Sequence, residues 1–120
     1  MTSISSLTQK ILEFRDARNW KKYHTPKNLS LSLIIELGEL FELIQWQRDD
    51  EILKEISRIK TQITDEIADV AIYLFLLAHE LGVNLEEAIP KKLEKTDNKY
   101  PIGSMSDDKI KWGKSQKSTN

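Results

Sequence analysis

The chain has no cysteine, which excludes disulfides and any thiolate zinc site. It also has no excess of either charge: 18 Lys and Arg stand against 19 Asp and Glu, a formal net charge of −1. That leaves no general field for holding a polyanion such as DNA or RNA, so a nucleic-acid polymer is not an expected partner. The longest uninterrupted apolar run, Val70 to Ala78, is less than half of the roughly 20 residues that cross a bilayer. Met1 to Lys10 lacks the basic-then-apolar order of a signal peptide. The expectation is a soluble cytoplasmic protein with no membrane partner. What is present is 120 residues, 39% apolar and 31% charged. That is enough for one domain to bury roughly two thirds of its unfolded surface without metal or disulfide support.

No alternating run argues for a sheet, and apolar residues recur at helical spacing throughout. Ile4, Leu7, Ile11 and Phe14 predict a helix from about Ser5 to Ala17. Pro26 predicts a turn after the polar-aromatic stretch Trp20, Tyr23, His24. Asn28 is positioned to cap a second helix carrying Leu29, Leu33, Leu37, Leu40 and Ile44 to about Trp46. A third helical pattern runs from near Asp50 to His79, long enough to suggest a kink or loop near Lys60 to Thr64. Its second half is apolar on nearly all sides, as in helices enclosed by neighbours or by a second subunit. Leu81-Gly82 ends it, Asn84 and Glu87 have capping-box spacing for a fourth helix, and Pro90 should kink or restart that helix. The expected fold is all-α, a four- to five-helix bundle. Residues 1–101 form its domain and 102–120 a polar tail, loosely ordered on its own.

Two motifs carry chemistry: Glu36-Leu-Gly-Glu39 and Glu66-Ile-Ala-Asp69. Acids three residues apart share a helix face. On a helical wheel Glu36 falls between Leu43 and Leu29, inside the arc that faces the core, with Glu39 at its polar edge. Glu66 falls between Tyr73 and Leu77. Ionised carboxylates in an apolar setting are costly unless a cation offsets desolvation and mutual repulsion. Four hard oxygen donors without sulfur suit Mg²⁺, with Mn²⁺ an alternative. A di-iron bundle normally adds Glu-x-x-His pairs, and here Lys21 and Leu76 precede His24 and His79 by three residues. Gly38 within the first motif implies either close approach by a helix or ligand, or a tolerated helical glycine.

Trp20, His24-Thr-Pro-Lys-Asn-Leu29, Glu36-Leu-Gly-Glu-Leu40, Gln45-Trp46, Glu66-Ile-Ala-Asp-Val70, Tyr73-Leu74 and Lys99-Tyr-Pro101 occur in this order. Over about Ile11 to Pro101 the chain resembles the MazG-like all-α nucleotide pyrophosphohydrolases, especially the dCTP pyrophosphatase branch. The resemblance implies a helical protomer that assembles into a dimer or tetramer. It also implies hydrolysis of a nucleoside triphosphate between the α and β phosphates.

It further implies that Glu36, Glu39, Glu66 and Asp69 are the Mg²⁺ ligands and catalytic carboxylates, with Glu42 either supporting them or facing water. Trp20, Trp46, Tyr73 and His24 become candidates for holding the base. Judged without the resemblance, both tryptophans read as core aromatics, and His24 equally as a histidine packed in a turn. Lys27 and Asn28, and across a subunit boundary Lys92, Lys95 and Lys99, become candidates for phosphate, each lysine also readable as plain solvated surface. The chain departs from the dCTP-selective pattern at Ile11, where that branch tends to have His, and at Thr96, where it has Asn. Two other readings of the same residues are a nucleotide sensor that binds without cleaving and a helical interaction module indifferent to Mg²⁺.

Overall fold

The computed structural model describes residues 2–103; Met105, Ile110 and Trp112 of the expected tail lie outside that range. Four α-helices follow in order: α1 Ile4–Ala17, α2 Pro26–Glu42, α3 Asp49–Glu80 and α4 Leu85–Lys99, with a single 3-10 turn at Lys21–Tyr23. No strand occurs among the described residues, so the all-α expectation holds. The chain forms two compact units, one through Leu85 and one from Glu86. In the first, α3 is the element on which both α1 and α2 pack. No described helix is long and apolar enough to cross a membrane.

Each end has a local cause. Ser3 caps α1: its hydroxyl accepts from the Ser6 amide at 3.0 Å, while the Ser6 hydroxyl accepts from the Ser3 amide at 2.9 Å. α1 closes on a left-handed residue, Asn19 at φ 58°. The Asn19 amide donates to the Asp16 carbonyl at 3.0 Å and the Trp20 amide to the Arg15 carbonyl at 3.1 Å. That pairing is a Schellman closure. α3 ends the same way around Gly82 at φ 69°, with Gly82 donating to His79 and Val83 to Ala78.

Several boundaries differ from expectation. Thr25, not Asn28, caps α2: its hydroxyl accepts from the Asn28 amide at 3.1 Å, and Pro26 takes the first helical position, where its missing N–H costs nothing. Asn28 lies inside the first turn, and its side-chain Nδ2 donates to the Tyr23 carbonyl at 3.0 Å. α2 stops at Glu42, short of Trp46, because residues 43–47 tighten into i to i−3 turns, Ile44 to Phe41 and Gln47 to Ile44. α3 runs unbroken through Lys60 to Thr64. Its first turn is anchored by Asp49, Asp50 and Glu51, acids that suit a helix N-terminus, and Glu51 accepts from the Arg48 amide at 3.1 Å. α4 begins at Leu85 directly after Asn84 and continues through Pro90 as one helix.

The buried face of α1 is also rotated from the expected stripe. Ile4, Thr8, Ile11, Leu12 and Arg15 turn inward, while Leu7 and Phe14 are exposed. Leu29, Ile59, Leu76 and Ala78 are the buried apolar residues among those described. On α2 the residues Leu31, Ile34, Ile35 and Phe41 stay exposed. Stepping 100° per residue places them opposite Leu29 and Leu40, on the side of α2 turned away from α3. Gly38 sits in the middle of that bare stripe, and a Cβ there would meet open space within the chain.

Candidate metal and nucleotide site

The α2–α3 pair brings the two acidic motifs together. Carboxylate oxygens of Glu36, Glu39 and Glu66 lie within 4.8 Å of one another. Glu36 and Glu66 are half-buried and Glu39 is exposed at the rim, as the wheel positions anticipate. One oxygen of each inward acid, Glu36 Oε2 and Glu66 Oε2, is buried without a hydrogen-bond partner among the described residues. Leaving buried acceptors unpaired is costly, and such groups call for a missing partner.

The electrostatics agree with the geometry. Glu36 is pushed up from 4.5 to about 7, first by burial, then by a carboxyl hydrogen bond to Glu66, then by the neighbouring charges of Glu39 and Asp69. Asp69 is half-buried one turn beyond Glu66; it acts on Glu36 through its charge but stands outside the tight group of three. Hard oxygen donors converging with buried, unpaired lone pairs fit a small divalent cation such as Mg²⁺ or Mn²⁺. Glu42 is exposed.

Within the first unit the remaining candidates spread from one end of α2 to the other. Tyr73 is half-buried two turns along α3 from Glu66. Lys27 and Asn28 are exposed in the first turn of α2, with about 12 Å of helix between Asn28 and Glu36. Trp20 is 43% exposed and meets Phe14 edge-on, ring centroids 5.8 Å apart. Trp46 is 90% exposed in the turn beyond the other end of α2. Seventeen residues of helix separate these tryptophans, about 25 Å, so they cannot clasp one base within a single protomer. Lys92, Lys95 and Lys99 are exposed on α4, in the second unit. Of the two departures, Ile11 is half-buried in α1, and Thr96 donates its hydroxyl to the Lys92 carbonyl at 2.9 Å.

His24 is half-buried, its Nδ1 without a hydrogen-bond partner among the described residues. Its pKa is lowered from 6.5 by burial and by the nearby Arg15, against an opposing pull from Glu80. Arg15 and Glu80 are residues that sequence reasoning missed. Sixty-five positions apart, they share a hydrogen-bonded ion pair at 2.9 Å, with Arg15 only 4% exposed. The one local signal is the position of Arg15 in the series Ile4, Thr8, Leu12, Arg15, an inward face with a cation at its end.

A helical hairpin that brings Glu36, Glu39 and Glu66 of the two acid-x-x-acid motifs to a common point is an all-α framework with the donor set of a divalent cation. Comparison with known proteins makes the assignment specific. The MazG-like family model matches residues 31–114, and the chain belongs to that family. Its curated relatives include dCTP pyrophosphatase 1 of Bos taurus, 37% identical over 92 residues, and dCTP pyrophosphatase 1 of Homo sapiens, 38% identical over 91. These alignments cover 75% and 74% of this chain and 54% of each relative, so the chain spans about half the length of the curated relatives it matches. Among solved structures it is similar to a pyrophosphatase from Archaeoglobus fulgidus, 45% identical with a TM-score of 0.78, covering 84% of this chain and 94% of that one.

Proposed function

We propose that the protein is a divalent-metal-dependent pyrophosphohydrolase of (deoxy)nucleoside triphosphates, acting on pyrimidine nucleotides of the dCTP type. The observation that carries this reading is the meeting of Glu36, Glu39 and Glu66 within 4.8 Å with two buried oxygens left unpaired. The relatives' names support the substrate class.

In this reading Glu36, Glu39 and Glu66 hold the metal, and Asp69 completes the ring of negative charge. Bound Mg²⁺ would supply charge neutralisation at the phosphates and acidify the attacking water. Water adds at the α phosphorus, the bond to the bridging oxygen breaks, and monophosphate and pyrophosphate leave. In a variant of this scheme one of Glu36, Glu39 or Glu66 takes the water's proton instead of binding the metal. Trp20 offers an indole face to the base, a contact that stacks well and discriminates little. Tyr73 and His24 are the further candidates beside the base, Lys27 and Asn28 face the phosphates, and Lys92, Lys95 and Lys99 reach them from across a subunit boundary. The role that follows is housecleaning of the cytoplasmic nucleotide pool.

The functional unit in this proposal is a homodimer or a tetramer built from it. The bare stripe Leu31, Ile34, Ile35, Phe41 leaves large apolar groups in water, and Gly38 at its centre lets a second helix approach closely. A second copy also offers a route to bring a Trp46 toward a base that one protomer cannot reach.

Glu36→Gln and Glu66→Gln test the site. Each should lower turnover at least about a hundredfold, by analogy with what losing even supporting groups of a metal site costs, while leaving helical circular dichroism unchanged. Undiminished turnover in either variant would contradict the assignment.

A further inference from the structure

Arg15 has no assigned contact with substrate, yet its backbone and its side chain both tie down the segment between α1 and α2. Its guanidinium is buried, with Nη1 donating to Glu80 Oε1 and Nε to Asp16 Oδ1, each at 2.9 Å. Its carbonyl accepts the Arg18 amide at 3.2 Å and the Trp20 amide at 3.1 Å. One residue therefore closes the end of α1, fixes where the backbone of Trp20 begins, and ties both to the last turn of α3.

The rest of the segment is braced around that point. The Arg18 guanidinium lies 3.5 Å from the centroid of the Phe14 ring, against which Trp20 packs edge-on. Tyr23 donates its amide to the Trp20 carbonyl at 2.9 Å, His24 to Lys21 at 3.0 Å, and Asn28 holds the Tyr23 carbonyl from the α2 side. The charges of Arg15 and Glu80 both reach His24, with opposite effects on its pKa.

Burying an ion pair seldom adds net stability over apolar replacements, and retention of a directed pair is better explained by what it orients. We infer that Arg15, through its ion pair with Glu80, is a positioning residue that holds Trp20 and His24 where they meet the base. The inference rests on the reading, given above, that Trp20 and His24 receive the base. Burial first, and the charge of Arg15 second, lower the His24 pKa, against an opposing pull from Glu80.

The test is steady-state kinetics of the full chain on dCTP with Mg²⁺ for Arg15→Met, Arg15→Lys, Glu80→Gln and Trp20→Ala, together with titration of the His24 ring by NMR. Arg15→Met should raise KM about tenfold, within the range of a base–aromatic stack, with kcat within about twofold. Arg15→Lys should recover part of the loss, and the His24 pKa should rise in Arg15→Met. Should Arg15→Met fail to fold, Glu80→Gln, which leaves the guanidinium a neutral acceptor, carries the same KM prediction. A raised KM in Trp20→Ala beside an unchanged KM in the Arg15 and Glu80 variants would overturn this inference alone. An unchanged KM in Trp20→Ala would overturn the base-binding reading and this inference with it. A fall in kcat and melting temperature with KM and the His24 pKa unmoved would mark Arg15 as purely structural and overturn the proposal.

Discussion

Replacing Glu36 by Gln should make the metal-free protein more stable at alkaline pH while removing its activity. The folded state raises the Glu36 carboxyl from 4.5 to about 7, so above pH 7 folding forces a charge into a site that resists it. At about 1.4 kcal/mol per pH unit the full shift corresponds to about 3 kcal/mol. Glu36 is only half-buried and water screens part of the interaction, so about 1.5 kcal/mol is the expected effect. The direction is fixed by linkage. A carboxyl with a raised folded-state pKa holds its proton longer in the folded than in the unfolded chain, so its contribution is most favourable below pH 4.5 and is lost as pH climbs to 7. The variant's advantage should thus be nil near pH 4, grow between pH 4.5 and 7, and level off above. Urea denaturation in EDTA across pH 4 to 9, parent beside Glu36→Gln, measures it directly. A variant less stable than the parent at pH 8 would refute the account of the cluster. So would an advantage that does not change with pH.

Other perturbations act on separate parts of the structure. Gly82→Ala and Asn19→Ala each force an alanine into the left-handed region at a helix end, and thermal denaturation should show a loss of about 1 kcal/mol for each. Trp46→Ala should leave the melting temperature nearly unchanged, since the side chain is 90% exposed, but should raise KM if a second copy brings it to the base. Ile34→Glu, in the bare stripe of α2, should convert a dimer to monomer in analytical ultracentrifugation; a parent chain that already sediments as a monomer at micromolar concentration would contradict the assembly proposal.

What was legible in the sequence were features with a period. Two acid pairs at three-residue spacing, each with a member on the apolar side of its helix, identify Glu36 and Glu66 as inward before any fold is known, and the structure brings them together. The all-α architecture and the Gly82 stop follow from the same local logic. Positions decided by competition between neighbours were not legible. Thr25 and Asn28 are both good caps, and Pro26 decides between them by occupying the first helical position. Of the expected α1 stripe Ile4 and Ile11 face inward but Leu7 and Phe14 do not, and Arg15 is buried against Glu80, a partner 65 residues away that no periodicity reveals. Trp46, which continues the α2 pattern on paper, leaves it because the chain turns after Glu42.

Metal-dependent cleavage of a nucleoside triphosphate at a carboxylate cluster has a direct readout. It is tested most directly by pyrophosphate release from a panel of canonical and modified nucleoside and deoxynucleoside triphosphates, first with Mg²⁺, then with EDTA, then with Mg²⁺ restored. The account predicts release that stops with EDTA and returns with the metal, with dCTP and related pyrimidine nucleotides ranked highest. Release that persists in EDTA, or none from any nucleotide in the panel, would contradict it.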